Sequence, residues 1–383
     1  MLKSFNFRIL GIIYFLHFIR HGMVFPLIPL YAQKMGGGAT EIGLVASSFN
    51  LLSVFLAIPI GGVIERLGMK PVLLLGVACN VLYALLLAAA PSLMIVMLAQ
   101  ICGGLGFLFL IVSSQTYVSH MAEDRYRERG FGFLALTAAL GFMLGPPLGG
   151  ALSVNHGYRF VFTFSGILAA SGLVAFFLKK ESSSYQNTQD EDSGIISQMG
   201  QMLKNFRFVS ILIVSFTVVF VVSLRNSFLP VLLKNKQLNE MNIGLLYAIF
   251  ALAMTAVRVS IGRVMGVVGR DKLLALTLLL LTAGFGFLPL LSAFGWLGVL
   301  MFLGGMGFGI SQPLTMVMVS DHSGSGLAMG VRFTTITLAT VLSPLFMGGL
   351  VHTLGLNFAF YAGALMIICL GILFLRGAFS TRT

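Results

Sequence analysis

KKESSSYQNTQDEDSGIISQMGQMLKN, residues 179–205, is the longest polar interruption in the chain. Ser, Gln and Asp crowd its first part and a short amphipathic piece closes it, the composition of a solvated linker. On either side the sequence is of another kind. The 383 residues are 57% hydrophobic and 9% charged, with a mean hydropathy of +0.98. Soluble domains carry about 25% charged residues, so this chain is not built to be solvated all round. Apolar runs near the ~20 residues needed to cross a ~30 Å hydrocarbon core recur along its whole length.

The chain therefore reads as an all-α polytopic membrane protein. Twelve transmembrane helices are expected at about 9–33, 41–64, 71–90, 92–120, 130–154, 158–178, 207–233, 242–268, 273–292, 294–319, 327–351 and 356–376. That gives a first six-helix bundle over 1–178, a cytoplasmic linker over 179–206 and a second six-helix bundle over 207–383. The first run is too long for a signal-peptide core and no small-residue cleavage site follows it, so it reads as a mature span. With the N-terminus in the cytoplasm, sixteen of the 24 Lys and Arg residues fall on that side. Only Lys34, Arg159, Lys234 and Lys236 fall outside. This is the positive-inside bias, and it predicts a multi-pass cell (inner) membrane protein with both termini cytoplasmic. The net charge of +12 thus reports topology, not nucleic acid. Cys79, Cys102 and Cys369 lack the spacing of a metal site or a disulfide framework, and no metal or cofactor is expected. The motifs of zinc proteases, P-loop ATPases and serine hydrolases are missing, which argues against an enzyme or a primary pump.

The two halves repeat one design. An offset of 201 residues relates Pro29 to Pro230, Ile42-Gly43-Leu44 to Ile243-Gly244-Leu245, Gly61 to Gly262 and Gly68 to Gly269. It also relates the GGLG at 103–106 to the GGMG at 304–307. Two parallel halves of this kind are an architecture of secondary transporters.

GGVIERLGMK (61–70) resembles the loop signature of the major facilitator superfamily, G-x-x-x-[DE]-R-x-G-x-[RK]. Gly61, Glu65, Arg66, Gly68 and Lys70 match, and Met69 stands where a basic residue is usual. In the second half GRVMGVVGRDK (262–272) keeps the glycines but has lost the acidic–arginine pair. GFMLGPPLGG (141–150) fits G-x-x-x-G-P-x-x-G-G at Gly141, Gly145, Pro146, Gly149 and Gly150. That motif is associated in the family with antiporters, chiefly drug exporters. The resemblance implies the major facilitator fold, with two pseudo-symmetric bundles and a cavity lined by spans one, four, seven and ten. Physically, the glycines let helix backbones approach closely and Pro146 permits a bend. Both signatures read as conformational gating machinery rather than substrate ligands.

The chemistry sits in the charges left inside the spans. In LHFIRHG (16–22), His17, Arg20 and His21 are spaced i, i+3, i+4 and share one helix face. Arg20 lies roughly 16 Å into its span, about midway, where a charge must face protein or water. Arg225, in VVSLRNSFLP, maps by the repeat one helical turn from Arg20, so the two guanidiniums are expected to face each other across the cavity. Each acidic residue falls at a helix end or in a loop. An electropositive cavity suited to a carboxylate or phosphate follows. Asn50, Gln115, Asn226 and Gln312 are candidates to complete it. Arg258 and Arg332, in the cytoplasmic halves of their spans, either join it or snorkel. Gln100 stands where many family members have an arginine, leaving His17 and His21 as proton-coupling candidates.

The function expected is a monomeric secondary transporter. Its cargo would be an anionic or carboxylate-bearing small organic molecule, such as a siderophore-like metabolite or an acidic drug. Export by alternating access with proton or other ion coupling is favoured. The alternatives are a broad multidrug exporter and an importer of an organic acid, siderophore or phosphorylated solute.

Overall fold

The structure, a computed structural model, describes residues 5–119, 124–173, 200, 202–323 and 326–380. Among them every regular element is helical. In chain order these are α1 (Phe5–Val24), α2 (Leu27–Lys34), α3 (Ala39–Leu51), α4 (Ser53–Leu67), α5 (Met69–Ala89), α6 (Leu93–Ser119), α7 (Asp124–His156) and α8 (Tyr158–Ala170). Then come α9 (Phe206–Asn235), α10 (Glu240–Val268), α11 (Arg270–Gly286), α12 (Phe294–Ser323), α13 (Gly326–Leu354) and α14 (Leu356–Ser380). Among the described residues nine helical stretches are long and apolar enough to cross a membrane, with Tyr158–Leu173 and Leu356–Gly371 as shorter apolar helices. α11, only 17 residues long and opening on Arg270, Asp271 and Lys272, occupies the position of the ninth expected span. Most of the linker expected over 179–206 lies outside the described residues.

Two spans are broken helices. The first divides into α1 and α2 at Phe25–Pro26, because Pro26 has no N–H to continue the ladder. Its repeat position holds Ser227, and there α9 runs unbroken through Pro230. The second span divides at Leu52 into α3 and α4.

The repeat is also written in the backbone. Gly68 and Gly269, at φ +85° and +82°, turn the chain into α5 and α11. Gly36 has φ +87°, and its counterpart 201 residues on is Gln237, at φ 66°. The left-handed turn has been kept although the glycine has not.

The chain divides into two compact units, Met1–Thr188 with Gln237–Ala248, and Gln189–Lys236 with Ile249–Thr383. In the first, α1 packs on α7, α5 on α6 and α8, and α3 on α6. Phe7, Leu10, Ile13, Tyr14 and Phe18 of α1 meet Leu73, Leu110 and Leu134 in its core. In the second, α9 packs on α13 and α14, and α11 on α12 and α14. Lipid tails are as apolar as these side chains, so close van der Waals fit holds such helices together.

The first turns of α10 go with the first unit for a reason legible in α7. A Cβ on Gly150 would overlap the carbonyl oxygen of Glu240, and one on Gly244 would overlap that of Pro146. The Tyr158 hydroxyl donates to the Glu240 carboxylate at 2.6 Å. The motif at 141–150 uses its other glycines toward α1. A Cβ on Gly145 would lie 2.6 Å from Ile19 O, and those on Gly141 and Gly149 would strike Phe18 and Met23.

Candidate functional site

His17, Arg20 and His21 share a face of α1 and all three are buried. Arg20, 1% exposed, turns toward α5 within its own unit. Its Nη2 donates to Asn80 Oδ1 at 2.5 Å and lies 3.4 Å from His17 Nδ1, and its guanidinium carbon is 5.5 Å from the centre of the Tyr83 ring. Asn80 is itself fixed, donating from Nδ2 to Gly76 O at 2.8 Å. The GGLG of α6 makes room for this arrangement. A Cβ on Gly103 would sit 2.8 Å from Tyr83, one on Gly106 would sit 2.7 Å from Asn80, and one on Gly104 would overlap Phe49 O. The glycines thus seat the side chains that hold Arg20.

His21 has different company. Its ring centroid lies 5.4 Å from Phe25, 5.3 Å from Phe49, 4.8 Å from Phe107 and 5.8 Å from Phe142. These phenylalanines come from the α1–α2 break, α3, α6 and α7. His17 stacks on His21 at 6.4 Å and meets Phe107 at 5.3 Å. Edge and tilted contacts between such rings favour fixed orientations, so His21 stands in an aromatic enclosure.

In the second unit, Arg225 is 5% exposed and its guanidinium carbon stands 3.8 Å from the centre of the Phe250 ring. Its Nε donates to Asn226 Oδ1 at 3.0 Å, and Nη2 donates to the same oxygen. Phe250 is the repeat counterpart of Phe49. As Gly104 lies on Phe49 O, so Gly305 lies on Phe250 O, where a Cβ would again overlap. Each unit therefore holds one phenylalanine against a glycine of its GGLG-type motif, with a nitrogen-bearing side chain over the ring. A guanidinium stacked at this distance is a cation–π contact, worth about 2 kcal/mol or more when desolvated.

Arg332, buried on α13, donates from Nη2 to Gln312 Oε1 at 3.0 Å and Thr315 Oγ1 at 2.9 Å of α12. Arg258 is exposed on α10, as is Gln115 on α6, while Asn50 is half-buried on α3. The structure thus joins Arg20 to His17, Arg225 to Asn226 and Arg332 to Gln312. In the loop signature Arg66 is exposed and Lys70 half-buried, while the burial of Gly61 and the side chain of Glu65 lie outside what the structure describes.

Among known proteins, the family model described as Major Facilitator Superfamily matches residues 10–326. The chain belongs to the major facilitator superfamily. It is a transporter, not an enzyme. It is 23% identical over 378 residues to Multidrug resistance protein 2 of Bacillus subtilis (strain 168), covering 94% of this chain and 92% of the relative. It is 26% identical to Quinolone resistance protein NorA of Staphylococcus aureus over 166 residues, 43% of this chain and 41% of that one. A mutant of nucleoside transporter NupG superposes with a TM-score of 0.84 at 15% identity, covering 97% of this chain and 99% of its own. The superfamily and its all-helical fold, read from the two signatures and the apolar spans, are thus established.

The residues that sequence reasoning missed are Asn80 and Tyr83, the phenylalanines around His21, and Phe250. Asn80 carried a signal, since an amide amid the apolar VLLLGVACNVLYALLL of 72–87 needs a partner. The phenylalanines carried none, because 34 are spread along the chain.

Proposed function

We propose that this transporter exports small amphipathic organic molecules that carry an aromatic or apolar body and an acidic group. Arg225 on the Phe250 ring is the observation that carries the reading. A buried guanidinium over an aromatic face offers an anion a positive charge and its hydrophobic body a flat surface nearby. The acidic residues of the sequence cluster at helix ends and in loops, which supports the preference. His21 among its phenylalanines supplies an equivalent aromatic face in the first half. Arg20 is left out of cargo recognition, because the cavity beside it, about 10 Å³, is too small for an organic molecule.

Export is supported by the likeness to proteins named for multidrug and quinolone resistance and by the motif at 141–150. Its glycines and prolines, packed between α1 and the start of α10, serve as the outer gate, and the signature at 61–70 serves the cytoplasmic one. The bundles correspond to 1–178 and 207–383, joined by a cytoplasmic linker. The protein works as a monomer in the cell membrane with both termini inside, and His17 and His21 are the proton-coupling candidates. A citrate-type siderophore and an acidic drug both fit the cargo class. Broad multidrug efflux is the second reading, favoured by the aromatic enclosure around His21.

Proteoliposome transport with a panel of acids, zwitterions, neutral aromatics and permanent cations decides between them. Arg225→Ala is expected to slow aromatic acids by about tenfold, the worth of one charge-assisted contact, and to leave neutral aromatics within about twofold. Equal transport of ethidium by the wild type and by Arg225→Ala, with no acid preference, would overturn the proposal and favour the multidrug reading.

A further inference from the structure

The Arg20 cluster holds more donors than it uses. Nε and Nη1 of Arg20 and Nε2 of His17 are buried without a hydrogen-bond partner among the protein's described residues. A guanidinium has no acceptor, so in its 3.4 Å contact with Arg20 Nη2, His17 Nδ1 accepts. The imidazole proton then belongs to Nε2, which becomes a donor as well. The one nearby amide oxygen, Asn80 Oδ1, already accepts from Arg20, and its orientation is fixed by the Asn80 bond to Gly76 O. The unpartnered set consists of donors alone, carried by a cation.

Beside these groups lies a small cavity lined by Arg20, His17 and Asn80 and by apolar residues that include Val77, Leu110 and Ala169. The cavity volume is about 10 Å³, room for a single small occupant. A water there would satisfy one donor but leave the buried positive charge unbalanced. A small monovalent anion accepts from a free N–H of the guanidinium and balances its charge, whose burial without a counter-charge is costly.

We propose that this cavity in the first six-helix unit is a halide site, in which chloride bound to Arg20 of α1 balances the guanidinium that donates to Asn80 of α5. The ion is a resident of the bundle and is distinct from the cargo, so the proposal stands or falls apart from the transport reading. The sequence hides it, because its walls come from α1, α5, α6 and α8, spread over residues 13–172.

The test is the melting temperature of the purified full-length protein in sodium gluconate, sodium chloride, sodium bromide and sodium sulfate at constant ionic strength. Chloride and bromide are expected to raise it saturably by about 3–6 °C at concentrations far above Kd, with sulfate too large to act. Arg20→Gln should melt alike in gluconate and chloride. Should Arg20→Gln fail to fold, Ala169→Val, which narrows the cavity and keeps the cation, should lose the halide response. Crystals grown in bromide should show anomalous density in the cavity within hydrogen-bonding reach of Arg20. Equal melting in chloride and gluconate, a halide response retained by Arg20→Gln or Ala169→Val, or a water in place of bromide would each overturn the site.

Discussion

The two halves share their glycines and differ in what those glycines face. In the first, Gly103 and Gly106 lie against Tyr83 and Asn80, which hold Arg20. The repeat positions of Arg20, Asn80 and Tyr83 in the second half are Val221, Leu281 and Gly284. There a Cβ on Gly307 would meet Leu281 at 2.9 Å, and one on Gly284 would meet Gly304 N at 2.6 Å. With the ring of Tyr83 replaced by a hydrogen, α11 and α12 close directly on each other. The backbone scaffold is common to both halves, whereas the polar cluster belongs to one. Conversely, the buried Arg225 of α9 has Val24 as its counterpart. Duplication accounts for the frame, and divergence at a few positions accounts for the chemistry.

Breaking the shared frame should have the largest effect. Gly104→Ala and Gly305→Ala place a methyl on the carbonyls of Phe49 and Phe250, and the overlap is deeper at Gly104. Because the obstacle is backbone, the helix must move rather than a side chain. Overpacking of this kind costs about 1–3 kcal/mol or more. Both variants should yield less monodisperse protein on size-exclusion chromatography, Gly104→Ala the less of the two. Wild-type yield from Gly104→Ala would show that α3 and α6 are not in the contact described.

The polar cluster tests the divergence. Asn80→Leu copies the second half and strips Arg20 of its acceptor, at a cost of about 2–3 kcal/mol for a hydrogen bond to a charged group. Arg20→Val copies Val221 and leaves Asn80 without its donor. The double substitution removes both partners together and should cost at least 1 kcal/mol less than the sum of the single ones. A thermal-melt cycle measures this, and strict additivity would mean that Arg20 and Asn80 do not depend on each other.

How far the sequence carried these conclusions depended on the physics involved. Span positions, the repeat and the glycine motifs were legible because membrane crossing demands long apolar runs and close packing demands small residues. The α1 face was legible too, since i, i+3, i+4 spacing puts His17, Arg20 and His21 together on any helix. What that face meets was not. That Arg20 turns toward α5 depends on which neighbour offers an acceptor at the right height, a tertiary fact carried by Asn80 60 residues away. Repeat arithmetic relates Arg20 to positions in the second half and carries no signal for the amide. The aromatic enclosure of His21 was hidden for the opposite reason: phenylalanine is so common here that its position conveys little.

The smallest effect expected is at the turn that both halves keep. Gly36 and Gln237 both sit in the left-handed region, at φ +87° and 66°. For an L side chain that conformation costs about 1–2 kcal/mol, so Gln237 carries a strain that Gly36 does not. Replacing Gln237 by Gly relieves it, but a glycine also frees the unfolded chain, which offsets about 0.4–1 kcal/mol. The net gain should therefore be under about 1 kcal/mol, a rise of a degree or two in melting temperature. Gly36→Ala should shift the melt the other way by a similar amount, since strain is introduced while only part of it is returned through the unfolded state. Opposite signs at two positions related by one offset would confirm that the turn, not the residue, is what the repeat preserves. A loss of stability in Gln237→Gly would instead mean that the side chain of Gln237 contributes contacts worth more than the strain it bears.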